Sequence, residues 1–102
     1  MKVSLTLKRK PRKMEVEAAD LHIPDYPWLA GLHATPFIDG RGDVTDLWTV
    51  TEKSTGAQLR ISPCSNWAIL ECEVWYWARR HNITERRWKE IISRTKRAIK
   101  NI

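Results

Sequence analysis

Trp67-Ala-Ile-Leu-Glu-Cys-Glu-Val-Trp-Tyr-Trp-Ala78 holds three of the chain's six tryptophans, and ten of its twelve residues are apolar or aromatic. No Pro or Gly interrupts it, so it reads as one helix. On a helical wheel Trp67, Leu70, Val74, Trp77 and Ala78 form one apolar face. Ala68, Ile69, Cys72, Trp75 and Tyr76 form a second. Glu71 divides the faces on one side, and Glu73 with Arg80 divides them on the other. A helix that is apolar nearly all round is normally buried. The expectation is therefore a central core helix, sandwiched between a sheet and a second helix. A sharper reading is that one face waits for a partner protein, since clustered Trp and Tyr are common binding anchors. Both can hold together.

The second helix follows directly. Asn82 can stop the first, and Thr84 is a good N-cap for the next, with Glu85 complementing the dipole in its first turn. Trp88, Ile91, Ile92, Thr95, Ile99 and Ile102 form one stripe at helical spacing, and the cations lie mostly off it. Helices over 66–81 and 84–102, joined by a few residues, should pack as an antiparallel pair.

Upstream, Leu47-Trp-Thr-Val-Thr51 and Ala57-Gln-Leu-Arg-Ile-Ser62 both alternate, and Glu52–Gly56 supplies turn chemistry between them. This predicts a β-hairpin over 47–62. Pro63 ends its second strand, and Ser65 or Asn66 caps the helix. Residues 20–46 carry Pro24, Pro27, Pro36 and the turn Gly40–Asp43, and read as a long irregular connection pinned by Trp28, Leu29, Leu32, Phe37 and Ile38. Pro27–Gly31 could form one helical turn with Pro at its first position. Val3–Leu7 and Met14–Ala18 alternate and suggest two paired strands. The segment Lys8–Lys13 between them is either the basic tip of a hairpin or a frayed basic arm.

One domain is the natural count for 102 residues. The whole is a small single-domain α+β protein: a β-hairpin, with N-terminal strands, followed by two antiparallel C-terminal helices. The net charge of +6 is concentrated at the ends. Residues 1–13 hold six basic residues and no acid, and residues 84–102 hold seven basic and two acidic ones, whereas 14–83 is acidic. Two localised basic surfaces are implied, facing nucleic acid or an acidic protein surface, or simply solvated. Cys64 and Cys72 read as free thiols of a cytoplasmic protein. Met1–Lys13 lacks the apolar stretch of a signal peptide, and the aromatic helix is too short and too charged to span a bilayer.

Catalytic chemistry finds little support. His22, His33 and His81 lie in three different segments, and no Ser or Cys stands in a nucleophile context. Glu71 and Glu73 diverge by about 160° on the wheel, so they do not form a carboxylate pair. No glycine-rich phosphate loop is present, and Cys64, Cys72 and the histidines lack zinc-finger spacing. No enzyme, cofactor or metal is expected. Arg41-Gly-Asp43 reads as a turn. Two binding classes remain. The last helix could neutralise phosphates in a salt-dependent way, although helix-turn-helix spacing is missing. The aromatic helix and its basic neighbour could equally grip a protein.

The sequence also resembles the small anti-RecBCD proteins that lambdoid phages carry beside their recombination genes. The resemblance lies in Met1-Lys-Val-Ser-Leu-Thr-Leu-Lys-Arg-Lys-Pro-Arg-Lys13 and in Trp67–Ile102, with Trp75-Tyr-Trp-Ala-Arg-Arg-His81 and Glu85-Arg-Arg-Trp-Lys-Glu90. It covers the full length and rests on overall likeness, not on a defining motif. It implies a non-enzymatic modulator that binds the host RecBCD helicase–nuclease through its RecC subunit. That modulator would alter the nuclease and recombination activity, protecting linear phage DNA in the host cytoplasm. A host peptidyl-prolyl isomerase is a further implied partner, with Pro24, Pro27, Pro36 and Pro63 as candidate contacts in turns or loops.

The main partner surface is expected on the last helix and the edge of the central one. Trp75, Trp77 and Trp88 are the candidate anchors, and any of them could instead be core. Arg86, Arg87, Lys89, Arg94 and Lys96 are the candidate charged contacts. DNA contact would then be indirect or non-specific. The competing reading is a small basic DNA-binding protein that uses its C-terminal helix on phosphates.

Overall fold

The computed structural model describes residues 2–7 and 12–100, with the side chains of residues 6, 7, 12 and 13 outside the description. Its strands are β1 (Lys2–Leu7), β2 (Arg12–Glu17), β3 (Ala19–Asp20), β4 (Leu32–Ile38) and β5 (Val44–Glu52), followed by the helices α1 (Trp67–Arg80) and α2 (Glu85–Lys100). A single 3-10 turn, Pro27–Leu29, precedes β4, with proline at its start as expected. The chain is thus an α+β domain of antiparallel strands followed by two C-terminal helices.

β1 and β2 pair antiparallel, from Lys2 opposite Glu17 to Leu7 opposite Arg12. Their alternation does what period two requires: Val3, Leu5 and Val16 turn inward while Lys2, Ser4 and Glu15 face out. Leu5, Val16 and Ile38, with Met14 against them, form a small core of their own. Of the expected basic tip or arm Lys8–Lys13, residues 8–11 lie outside the described residues, while Arg12 and Lys13 belong to β2; Ile102, at the end of the expected α2 stripe, also lies outside them.

Two expectations for the middle of the chain are corrected. Residues 20–46 are not an irregular connection, because they contain all of β4 and the start of β5. β4 is the central strand of a three-stranded sheet ordered β3-β4-β5. Leu32, His33, Ala34 and Thr35 are buried in succession, so both faces of this strand are covered. A strand covered on both faces shows no alternation, which hides it from a pattern search. The hairpin is β4–β5, not 47–62. Ala57–Ser62 forms no named strand and touches β5 through an isolated bridge at Thr51–Gln58, followed by another at Trp48–Cys64.

Pro36, expected in a loop, stands inside β4 opposite Trp48 and beside a register irregularity. Trp48 directs both backbone groups to Cys64, its N–H donating at 2.7 Å and its carbonyl accepting at 3.0 Å. No ladder bond is therefore asked of the proline nitrogen, which is how a proline is tolerated within a strand. The turn joining β4 to β5 has Gly42 at φ 87° and is held by the Asp39 carboxylate, which accepts from the Arg41 and Asp43 N–H groups. Arg41-Gly-Asp43 is thus a turn.

The main core gathers Leu21, Ile23, Leu29, Leu32, Val50, Leu70, Val74, Ala78, Ile83 and Trp88. Both helices begin on the expected caps. Asn66 accepts from the Ala68 N–H at 3.0 Å, and the Thr84 hydroxyl accepts from the Arg87 N–H at 3.2 Å. Asn82 adopts φ 50° in the short connector, the left-handed conformation Asn tolerates at a helix end.

Candidate functional site: one unburied face on each helix

α1 is not sandwiched. Leu70, Val74 and Ala78 are fully buried against the core, while Ala68, Cys72 and Glu73 are exposed and Ile69 and Tyr76 are 47% and 59% exposed. Of the two apolar faces in the sequence, the domain buries one. Even Trp67, at the edge of the buried face, is 37% exposed. The reason is supply: the sheet and the segment before β4 cover one side of α1, and α2 meets it near the connector, where Trp77 and Trp88 stand edge to face at 6.2 Å.

The segment 21–29 is tied to α1 and to the connector that follows it by three polar contacts. The His22 N–H donates to the Glu71 carboxylate at 2.6 Å, the Trp75 indole N–H to Asp25 at 3.4 Å, and the Trp28 indole N–H to the Ile83 carbonyl at 3.0 Å. Glu71, expected only to divide two apolar faces, is therefore a docking point for this segment. Asp25 holds φ 67°, a conformation uncommon outside Gly, Asn and Asp.

The outer face of α1 carries an ordered aromatic group. Trp75 and Tyr76 stand edge to face at 5.2 Å, and the Arg79 guanidinium lies over the Trp75 ring at 5.2 Å. Such a contact holds an arginine and an indole in fixed relation at the surface. Of the three anchors expected from the sequence, Trp75 belongs to this group, although like Trp77 it is half-buried and packed on the core. Trp88 is only 7% exposed and belongs to the core itself, so it is not a surface anchor. The sequence does not single out Tyr76 and Ile69 as anchors, since the wheel alone does not say which of two apolar faces is covered.

α2 behaves as its periodicity predicts. Trp88 is buried, Ile91 and Ile92 pack on the core, and Arg86, Arg87, Lys89, Arg94 and Lys96 are all exposed. Arg86 pairs with Glu90 at 3.8 Å and Lys89 with Glu85 at 3.6 Å, both one turn apart. Among the described residues, Arg87, Arg94, Lys96, Arg97 and Lys100 make no ion pair. A shallow open trough follows the outer side of α2, past Glu85, Arg86, Lys89, Glu90, Ser93, Arg94 and Arg97.

The buried polar groups elsewhere are structural. His33 is buried with Nε2 at 3.0 Å from Asp20 and Nδ1 at 3.1 Å from the Gly31 carbonyl, linking β3 to β4. The Thr35 and Thr51 hydroxyls share a hydrogen bond of 2.7 Å between β4 and β5. Burial works to raise the pKa of Glu52. The hydroxyls and backbone N–H groups of Thr55 and Ser54, all donating to its carboxylate, outweigh that and hold it below its ordinary 4.5. This carboxylate shapes the turn after β5. Cys64 and Cys72 are free thiols. Among the described residues there is no group of three or more His, Cys, Asp or Glu side chains that could hold a metal ion. Nor is any helix there long and apolar enough to cross a membrane.

Of the candidate isomerase contacts, Pro24 and Pro27 are exposed in the segment before β4, Pro63 is half-buried beside the Trp48–Cys64 bridge, and Pro36 is within a strand. Comparison with protein-family models, curated proteins and solved structures finds no match.

Proposed function

We propose that this chain is a non-enzymatic protein-binding modulator whose target is the host RecBCD helicase–nuclease, met through its RecC subunit in the bacterial cytoplasm. The partner's identity is drawn from the sequence resemblance. The mode of action is supported by one structural observation: α1 leaves Ile69, Cys72 and Tyr76 outside the core, next to the Trp75–Arg79 pair. An apolar stripe rimmed by a fixed arginine is the chemistry of an interface hot spot, in which aromatic and Arg side chains dominate the binding energy. Binding there would alter nuclease and recombination activity, in favour of phage recombination and intact linear phage DNA, without any chemistry by the small protein itself. Pro24 and Pro27, exposed beside Asp25, are the two prolines that a peptidyl-prolyl isomerase could reach most readily.

The test is size-exclusion chromatography of the purified protein mixed with RecBCD at moderate salt and without DNA. Co-elution is expected, with loss of co-elution in a Tyr76→Asp, Ile69→Asp double variant that keeps its circular dichroism spectrum. Separate elution of the wild-type proteins would refute the reading.

A further inference from the structure

We infer that the outer face of α2 is a docking surface for the phosphate backbone of duplex DNA, centred on Arg94, Arg97 and Lys100. The core fixes how this helix is turned. With Trp88, Ile91 and Ile92 inward, Arg86, Lys89, Arg94, Lys96, Arg97 and Lys100 lie off that stripe, and all are exposed. Sixteen helical residues extend about 24 Å, several phosphate spacings along a duplex.

The charge along this face is not uniform. In the first half, Glu85 and Glu90 each lie within 4 Å of a cation and offset it. The second half has no acid at all: Arg94, Lys96, Arg97 and Lys100 follow within seven residues. Four like charges so close repel one another, and the cost falls when a polyanion neutralises them. The linear charge density of a duplex is far higher than that of an ordinary acidic protein surface, which favours DNA as the occupant. Single-strand binders add aromatic platforms for base stacking. The cationic side of α2 has none, since its one aromatic residue, Trp88, is in the core. Backbone contact with a duplex, independent of base sequence, is what remains.

This inference is independent of the RecBCD reading, because its experiment contains no RecBCD. Fluorescence anisotropy of a labelled mixed-sequence duplex is measured against the full chain from 50 to 200 mM salt. Affinity should fall steeply as salt rises. The triple variant Arg94→Gln, Arg97→Gln, Lys100→Gln should lower the log–log salt slope by about 3, near one for each phosphate that is no longer neutralised. The double variant Arg86→Gln, Lys89→Gln should lower it by less than about 1, since its cations are already offset. No duplex binding at 50 mM salt would overturn the inference, as would an unchanged slope in the triple variant. Tighter binding to a single strand, or displacement of the duplex by poly-glutamate at equal charge, would overturn it in favour of another polyanion.

Discussion

The two helices are neighbours in the chain and follow opposite rules. α2 has one apolar stripe and a cationic remainder, and each side goes where its composition sends it. α1 is apolar on two faces, and the domain covers only one. Composition therefore decides exposure in α2, while in α1 the available covering surface decides it. Leu70 and Ile69 are adjacent and similar in chemistry, yet one is fully buried and the other is 47% exposed. An uncovered Ile, Cys and Tyr leave apolar surface in water on α1, which the proposed partner would cover.

The contrast can be broken most directly at the tryptophan that joins the helices. Trp88→Ala should destabilise the fold by about 3–5 kcal/mol, as expected for a core aromatic, read from urea unfolding. A loss under about 1 kcal/mol would mean that Trp88 is a surface anchor after all. Within α1, Leu70→Ala should cost about 2–5 kcal/mol by the same measurement. Ile69→Ala should stay within about 0.5 kcal/mol, typical of exposed sites, and should weaken RecBCD co-elution instead. Equal costs at the two positions would erase the difference between the faces.

A smaller effect belongs to the sheet on which α1 rests. Glu52→Gln should lower stability at pH 7 by about 1–3 kcal/mol, since it removes a charged acceptor from several hydrogen bonds. The folded-state pKa is lowered, so the carboxylate's contribution is complete above its ordinary 4.5 and is lost as pH falls through the lowered folded value. Urea unfolding of both proteins should show a constant difference from pH 7 to about pH 5, narrowing as the pH drops further. The caps come next. Asn66→Ala and Thr84→Ala should each cost about 1 kcal/mol, shown as a lower melting temperature. The smallest effect is on the outer side of α2, where Arg87→Glu with Arg94→Glu should leave the melting temperature nearly unchanged.

What the sequence discloses follows how strongly one physical signal dominates each segment. β1 and β2 lie on one side of a small core and alternate cleanly, so their pairing is readable from Val3, Leu5, Met14 and Val16. The caps Asn66 and Thr84 and the stripe of α2 are equally plain. β4 is not, because Leu32–Thr35 is buried on both faces and Pro36 looks like a breaker. Its proline survives only because Trp48 turns its backbone towards Cys64, a fact about pairing that no local pattern contains. The charged contacts Arg86, Arg87, Lys89, Arg94 and Lys96 are legible as exposed. The expectation of Trp88 as an anchor fails, since a Trp in an apolar stripe looks the same whether a core or a partner covers it.

Local sequence is enough to say which segments are helical, where those helices begin, which residues of α2 share one apolar stripe, and that the rest of that helix is cationic. These are consequences of local hydrogen bonding and of a single amphipathic period, and they need no knowledge of distant residues. The pairing of β4 with β5, the burial of Trp88 and the face of α1 that remains open follow only from the assembled fold. Those outcomes depend on how much covering surface the sheet and segment 21–29 supply, and that quantity exists only once residues far apart in the chain have been brought together.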